Sequence, residues 1–351
     1  MSRHAINDDK IASAALMMRR NFAILLCAAF VHAGLAAAQS KPLRIKPPKK
    51  EKEPETQALP LSAEPPAVVI AETDKLAFHV SPLSDKGLLS QQVHDALKAL
   101  DRANGGATFV KLRAFVAGTG DMRRVAAIVA EEFSAKKMPL PAVTTMQVGA
   151  LPMEGAQVVI ESISAQKKAL NPNGLVFFSA QRLSDLAQAA KAQDAAVLQV
   201  TCFAGDLSQA DRVRADIASA FPVASVNFVQ PTRLVLSADV SCEGVGRRQR
   251  PGKSSATLVF TGAQMAFGDQ DQAFRLAFGR LGRALESMKA SYSDVLSMSV
   301  YSLNQPTADK IKALASEFLG PSAQPAESTR IVEGLPSLDA TVAIEVVTAG
   351  R

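Results

Sequence analysis

Three glutamates recur near the ends of three apolar, strand-like segments. They are Glu161 in Gln157-Val-Val-Ile-Glu-Ser162, Glu243 in Asp239-Val-Ser-Cys-Glu243, and Glu345 in Thr341-Val-Ala-Ile-Glu-Val346. A carboxylate so placed can accept hydrogen bonds across an interface, or it can act as an acid or base in a cleft. Two cations stand in a fourth segment, Val110-Lys-Leu-Arg-Ala-Phe115. On a strand, Lys111 and Arg113 share the face of Phe115, opposite Val110, Leu112 and Ala114. The corresponding pairs elsewhere are uncharged, Gln199 with Thr201 and Ser297 with Ser299. That asymmetry admits two readings: one anion-accepting cleft, or a salt bridge to Glu161 or another segment's glutamate. Cys202 and Cys242 have matching parity and admit a disulfide or two buried thiols. Neither has a basic neighbour in sequence, which argues against a catalytic thiol. Four His and three Cys are too few and scattered for a metal site. No metal or cofactor is expected.

The elements that must position these groups repeat three times. Each unit opens with a short apolar strand: Leu76–Ser81, Leu175–Ser179 and Leu258–Gly262. A helix follows; in the third unit Phe274, Ala277, Phe278, Leu281 and Leu285 recur at helical spacing. A period-two strand then ends in an aromatic residue, Phe115, Phe203 or Tyr301. Leu296, Met298 and Val300 are read as the helix-facing side of the last of these. A second helix comes next; Ser208 and Pro306-Thr307 suit its start in units two and three. Third and fourth strands close each unit, the third beginning at Pro141, Pro222 or Pro325.

Composition narrows the function. Lys and Arg number 39 against 33 Asp and Glu in 351 residues, a formal charge of +6. Residues 1–66 hold 10 of those cations and 6 of those anions, leaving 29 against 27 for the rest. A near-neutral body with 5% aromatics and no Trp argues against nucleic-acid binding. Arg19-Arg20, the apolar run from Phe22 and Ala36-Ala-Ala38 read as an export signal ending at Ala38. An exported protein, periplasmic or secreted, is expected, with no membrane span once the signal is cleaved. Residues 39–70, rich in Pro and Lys, read as a solvated linker.

This order of elements, with Leu258-Val-Phe, Pro141-Ala-Val-Thr, Pro325-Ala-Glu-Ser and the Ile-Glu pairs at 160–161 and 344–345, resembles the RidA/YjgF family. Its members are enamine and imine deaminases, also described as L-PSP endoribonucleases. The resemblance covers about residues 72–350. It implies an α+β, chorismate-mutase-like fold in each unit: 71–166, 167–250 (shortened) and 251–351. Family members are usually homotrimers with ligand clefts between subunits. Three units in one chain therefore imply an intramolecular pseudo-trimer, a monomer with three inequivalent clefts. The deaminases hold the substrate carboxylate with the Arg of Pro-Ala-Arg-Ser. Here the matching positions are Val143, Ala224 and Glu327. A first glutamate on the closing strand orients water in the family; here it is Val159, Ser241 or Ala343. The expected function is non-catalytic binding of a small ligand or partner between units, with no catalytic residue assigned. A deaminase or other hydrolase with a remodelled site is the alternative. Glu161, Glu243, Glu345, Lys111, Arg113 and Glu327 are the candidate cleft residues.

Overall fold

The computed structural model describes residues 63–232, 240–320 and 323–351. The export signal, most of the expected linker and the cleavage site lie outside the described residues. Periodicity sets the helices. In α1 (Leu89–Asn104), Val93, Ala96, Leu97 and Leu100 form one buried stripe. Gly105 ends it with φ +60°, a left-handed conformation that glycine adopts without strain. Asp121 caps α2 (Met122–Ala135) by accepting from the Arg123 amide. The first sheet adds β2 (Leu76–Val80), β3 (Thr108–Ala117), β4 (Ala142–Val148) and β5 (Val158–Ala165) to these helices; β1 (Val68–Glu72), ahead of them in sequence, belongs to another sheet.

The second unit contains β6 (Leu175–Gln181), α3 (Leu183–Ala192), β7 (Ala195–Ala204), α4 (Ala210–Ala220), β8 (Ser225–Val229) and β9 (Val240–Arg248). The third contains β10 (Thr257–Thr261), β11 (Gln264–Phe267), α5 (Asp271–Ser287), β12 (Val295–Ser302), α6 (Gln305–Leu319), β13 (Ala326–Ile331) and β14 (Ala340–Ala349). Asn304 caps α6 by accepting from the Thr307 amide, with Pro306 in the first turn. In unit two the capping side chain is Asp206 rather than Ser208. It accepts from the Ser208 amide and starts a short 3-10 turn ahead of α4.

The three sheets share one strand order. They run β2-β5-β3-β4, β6-β9-β7-β8 and β10-β14-β12-β13. In each, the third strand pairs parallel with the middle strand, and the first and last strands pair antiparallel. Each sheet packs its helices on one face, giving a mixed α+β fold with three helix-side cores.

The structure corrects four readings. Residues 68–70 are not linker: β1 pairs antiparallel with β10 and widens the third unit's sheet. The third strand of unit two starts at Ser225, not at Pro222. Val110 does not face the helices. The register shifts between Phe109 and Lys111, and a bulge reverses side-chain parity there. The same shift falls between Val197 and Gln199 and between Val295 and Ser297. Leu296 is therefore 38% exposed, and Val295 takes the helix-side place read for it.

Candidate functional site

Strand register places the candidate residues. Arg113 pairs with Glu161, Thr201 with Glu243, and Ser299 with Glu345. Each is two residues before the aromatic of its middle strand, so each pair turns the same face to the interior. The third strands contribute Thr144, Asn227 and Ser328 at the same level. The faces turned away from the helices meet, and all three glutamates are buried there.

The charges interlock across units. Arg113 Nε donates to Glu161 Oε2 at 2.7 Å within its own sheet. Its Nη1 lies 2.7 Å from Glu243 Oε1 of unit two and 3.0 Å from the Tyr301 hydroxyl of unit three. Lys111 Nζ meets Glu345 Oε2 at 2.6 Å and also donates to Thr144 and to the Thr261 carbonyl. Thr201 and Asn227 donate to Glu161 Oε1 at 2.6 and 2.7 Å. Tyr301 donates to Glu345 Oε1 at 2.9 Å. Every carboxylate oxygen of the three glutamates except Glu243 Oε2 is thus partnered, as buried ions require.

Burial opposes the charges of Arg113, Glu345 and Lys111, and their neighbours answer it to different degrees. Burial works against the Arg113 cation, but Glu161, Tyr301, Glu243 and Glu345 outweigh it and hold its pKa well above the ordinary value. Burial alone would raise Glu345; Lys111 and Arg113, with hydrogen bonds from Lys111 and Thr144, bring it below its usual value. Burial lowers Lys111 despite Glu345 beside it. Burial also pushes the Tyr301 phenol well up, against the pull of Arg113.

Two apolar layers sandwich the charged one. One contains Phe115, Phe203, Tyr301, Met146, Val229 and Ala343, drawn from all three units. The other contains Leu76, Phe78, Val110, Leu175, Leu258 and Phe260, again from all three. The bulges bring Val110 and Leu198 onto this second layer.

Seen by sequence similarity, the chain matches no protein-family model and no curated protein. Solved structures are similar to part of it. A member of the YjgF/YER057c/UK114 family from Mycobacterium tuberculosis is 24% identical, with a TM-score of 0.25; the match covers 28% of this chain and 86% of that one. A Rid-family protein from Yersinia pestis is 16% identical, covering 29% and 90%, with a TM-score of 0.25. RidA from an Antarctic Psychrobacter is 19% identical, covering 26% and 80%, with a TM-score of 0.24.

Not every candidate joins the charged layer. Ser328 faces the interior, so its neighbour Glu327 lies on the other face of β13 and stays apart from Lys111 and Arg113. Cys202 and Cys242 are direct partners on β7 and β9, and their sulfurs are bonded on the helix side. Among the described residues no cluster of His, Cys, Asp or Glu could hold a metal. No described helix is long and apolar enough to cross a membrane.

A second feature lies between units one and two. A cleft of about 510 Å³ is lined by Val80–Leu83, Pro152, Met153 and Val159 of the first unit. Arg214, Ser225, Val226 and Asn227 of the second complete it. Ser225 Oγ donates to the Phe78 carbonyl across this joint. Arg214, half-buried on α4, has no hydrogen bond or ion pair to another described residue. The register also moves one assignment. Val143 pairs with Leu112 and Glu327 with Met298, each three residues before the aromatic; the unit-two equivalent is Val226, opposite Val200, not Ala224.

Sequence reasoning missed Thr144, Thr201, Asn227 and Tyr301 as partners of the glutamates, and Arg214 in the cleft. Thr201 and Thr144 stand at the offsets of Arg113 and its neighbour strand, so repeat alignment contained that signal. Asn227 was hidden by starting its strand three residues early.

Proposed function

We propose that this chain is a covalent pseudo-trimer of three RidA/YjgF-like units that binds a small anionic ligand between units without catalysing its hydrolysis. The carrying observation is the pair Val159 and Val226. Both line the cleft between units one and two. They stand where the resembling deaminases carry the water-orienting glutamate and the carboxylate-binding arginine. The cleft thus keeps a shape while two apolar side chains replace the reactive pair. Two valines can neither hold a carboxylate nor position water.

The central charges do not replace them. Arg113 and Lys111 are committed to glutamates of three units, so neither is available as a ligand's counter-ion. Among the described residues, Arg214 is the cation at the cleft without an ion-pair partner, and a guanidinium there suits a small carboxylate. The near-neutral body and scarce aromatics speak against nucleic acid as the partner. The signal-like N-terminus and the disulfide support an exported protein.

Titration calorimetry with 2-oxobutyrate, alongside an assay of 2-imino acid hydrolysis, tests this reading. Saturable binding lost in Arg214→Ala, with imine decay no faster than in buffer, is expected. Turnover of the imine, or binding indifferent to Arg214, overturns it. Light scattering tests the architecture separately: one chain per particle is expected, and a stable trimer of chains contradicts it.

A further inference from the structure

A second, smaller cavity lies at the charged layer itself, away from the cleft just described. Its volume is about 90 Å³. A water needs roughly 10–15 Å³ of such space, and drug-sized ligands need hundreds. The cavity therefore suits a few waters or a solute of a few heavy atoms.

Its wall has a specific chemistry. Glu243 is 9% exposed and Gln199 6% exposed, and both line it. Glu243 Oε1 is held by Arg113, but Glu243 Oε2 is buried without a hydrogen-bond partner among the described residues. Gln199 Nε2 is likewise buried and unpartnered. A carboxylate oxygen left bare in such a place is strongly unfavourable unless a donor reaches it. Ser299 and Ser328 add hydroxyls, and Phe177 and Phe260 add aromatic surface. The charged side chains on the wall are Lys111, Arg113, Glu161, Glu243 and Glu345, one carboxylate more than cations. Arg330, the next cation, does not line the cavity; it stacks on Phe203 at 4.1 Å and acts on Glu243 only through its field.

We propose that this cavity binds a small primary alkylammonium ion. Its charge balances the surplus carboxylate. Its three N–H groups match three acceptors: Glu243 Oε2, a serine hydroxyl, and the Gln199 amide, which presents its oxygen when turned over. Its short carbon stem rests on aromatic surface, where a cation is also favoured. A metal ion would leave that aromatic wall unused. A neutral alcohol would leave the surplus charge unanswered.

The test uses the whole chain and ethylammonium chloride in thermal-shift and calorimetric titrations. The controls are sodium chloride and potassium chloride at equal ionic strength, tetramethylammonium chloride, and ethanol. A saturable response to ethylammonium alone is expected. Affinity should fall at least tenfold in Glu243→Gln and in Gln199→Leu. If one variant fails to fold, the other and the wild-type panel still decide. A matching response to ethanol, tetramethylammonium or a metal ion overturns the proposal. So does an affinity unchanged in a folded variant, or no saturable response, which means that water alone fills the cavity.

Discussion

Arg113 and Glu243 meet at 2.7 Å although they belong to different sheets. The same guanidinium holds Glu161 of its own sheet, so one side chain neutralises carboxylates of two units. Removing it leaves buried charge uncompensated, which typically costs about 3–5 kcal/mol. Arg113→Met should therefore lower unfolding free energy by roughly that amount in urea titrations. A loss under 1 kcal/mol, the range of exposed ion pairs, would show that the layer is open to solvent.

Lys111 and Glu345 form the second lock, at 2.6 Å. Lys111→Met and Glu345→Gln should each destabilise the fold. The double variant should lose less than the two single losses combined, because neither partner is then stranded. The coupling expected for contacting charges is on the order of 1–3 kcal/mol. Additive losses would mean that the two groups do not depend on each other.

Acid should weaken the fold through Glu345. Its folded pKa lies below its unfolded one, so the stability it adds is complete above the ordinary carboxylate value of 4.5. That stability drains away as pH falls through the lowered folded value. Glu345→Gln should flatten this part of the stability profile between the ordinary value and the acid limit. A variant with the wild-type slope below pH 4.5 would place the sensitivity elsewhere.

The disulfide closes a separation of 40 residues in unit two. A loop of that size confers about 2–4 kcal/mol. Reduction, or the paired change of Cys202 and Cys242 to Ser, should reduce urea stability by that much. Unit two has the shortest helix facing its sheet, α3, so the bond compensates for a small core. Three free thiols rather than one on the denatured, unreduced full chain, which has three Cys, would contradict the bond.

The repeat was legible because core positions tolerate few residue types. The aromatics at 115, 203 and 301 and the glutamates at 161, 243 and 345 mark equivalent places without coordinates. The parity that groups Lys111, Arg113 and Phe115 also follows from pleating alone. Period two fails where a bulge inserts a residue, and this is why Val110 and Leu296 take the faces opposite to those that alternation predicts. Nothing in Val110-Lys-Leu-Arg announces that bulge. The partners of the charges come from sheets distant in sequence; Thr144 donates to Glu345 across 201 residues. Such meetings depend on how three sheets pack, which no local spacing encodes. Arg214 escaped for a related reason: α4 packs Ile217 against its own sheet, while Arg214 reaches a cleft shared with loops of another unit.

The strand β1 has a topological consequence. The chain leaves β1, which is zipped to β10 of the last unit, and enters β2 of the first after a three-residue turn. Ordinary tandem fusion would join units one to two and two to three, leaving the third joint held by side chains alone. Here backbone hydrogen bonds straddle that joint as well. A segment that precedes the first sheet in sequence is thus a strand of the third, and parting these two sheets demands unzipping β1 or cutting the main chain.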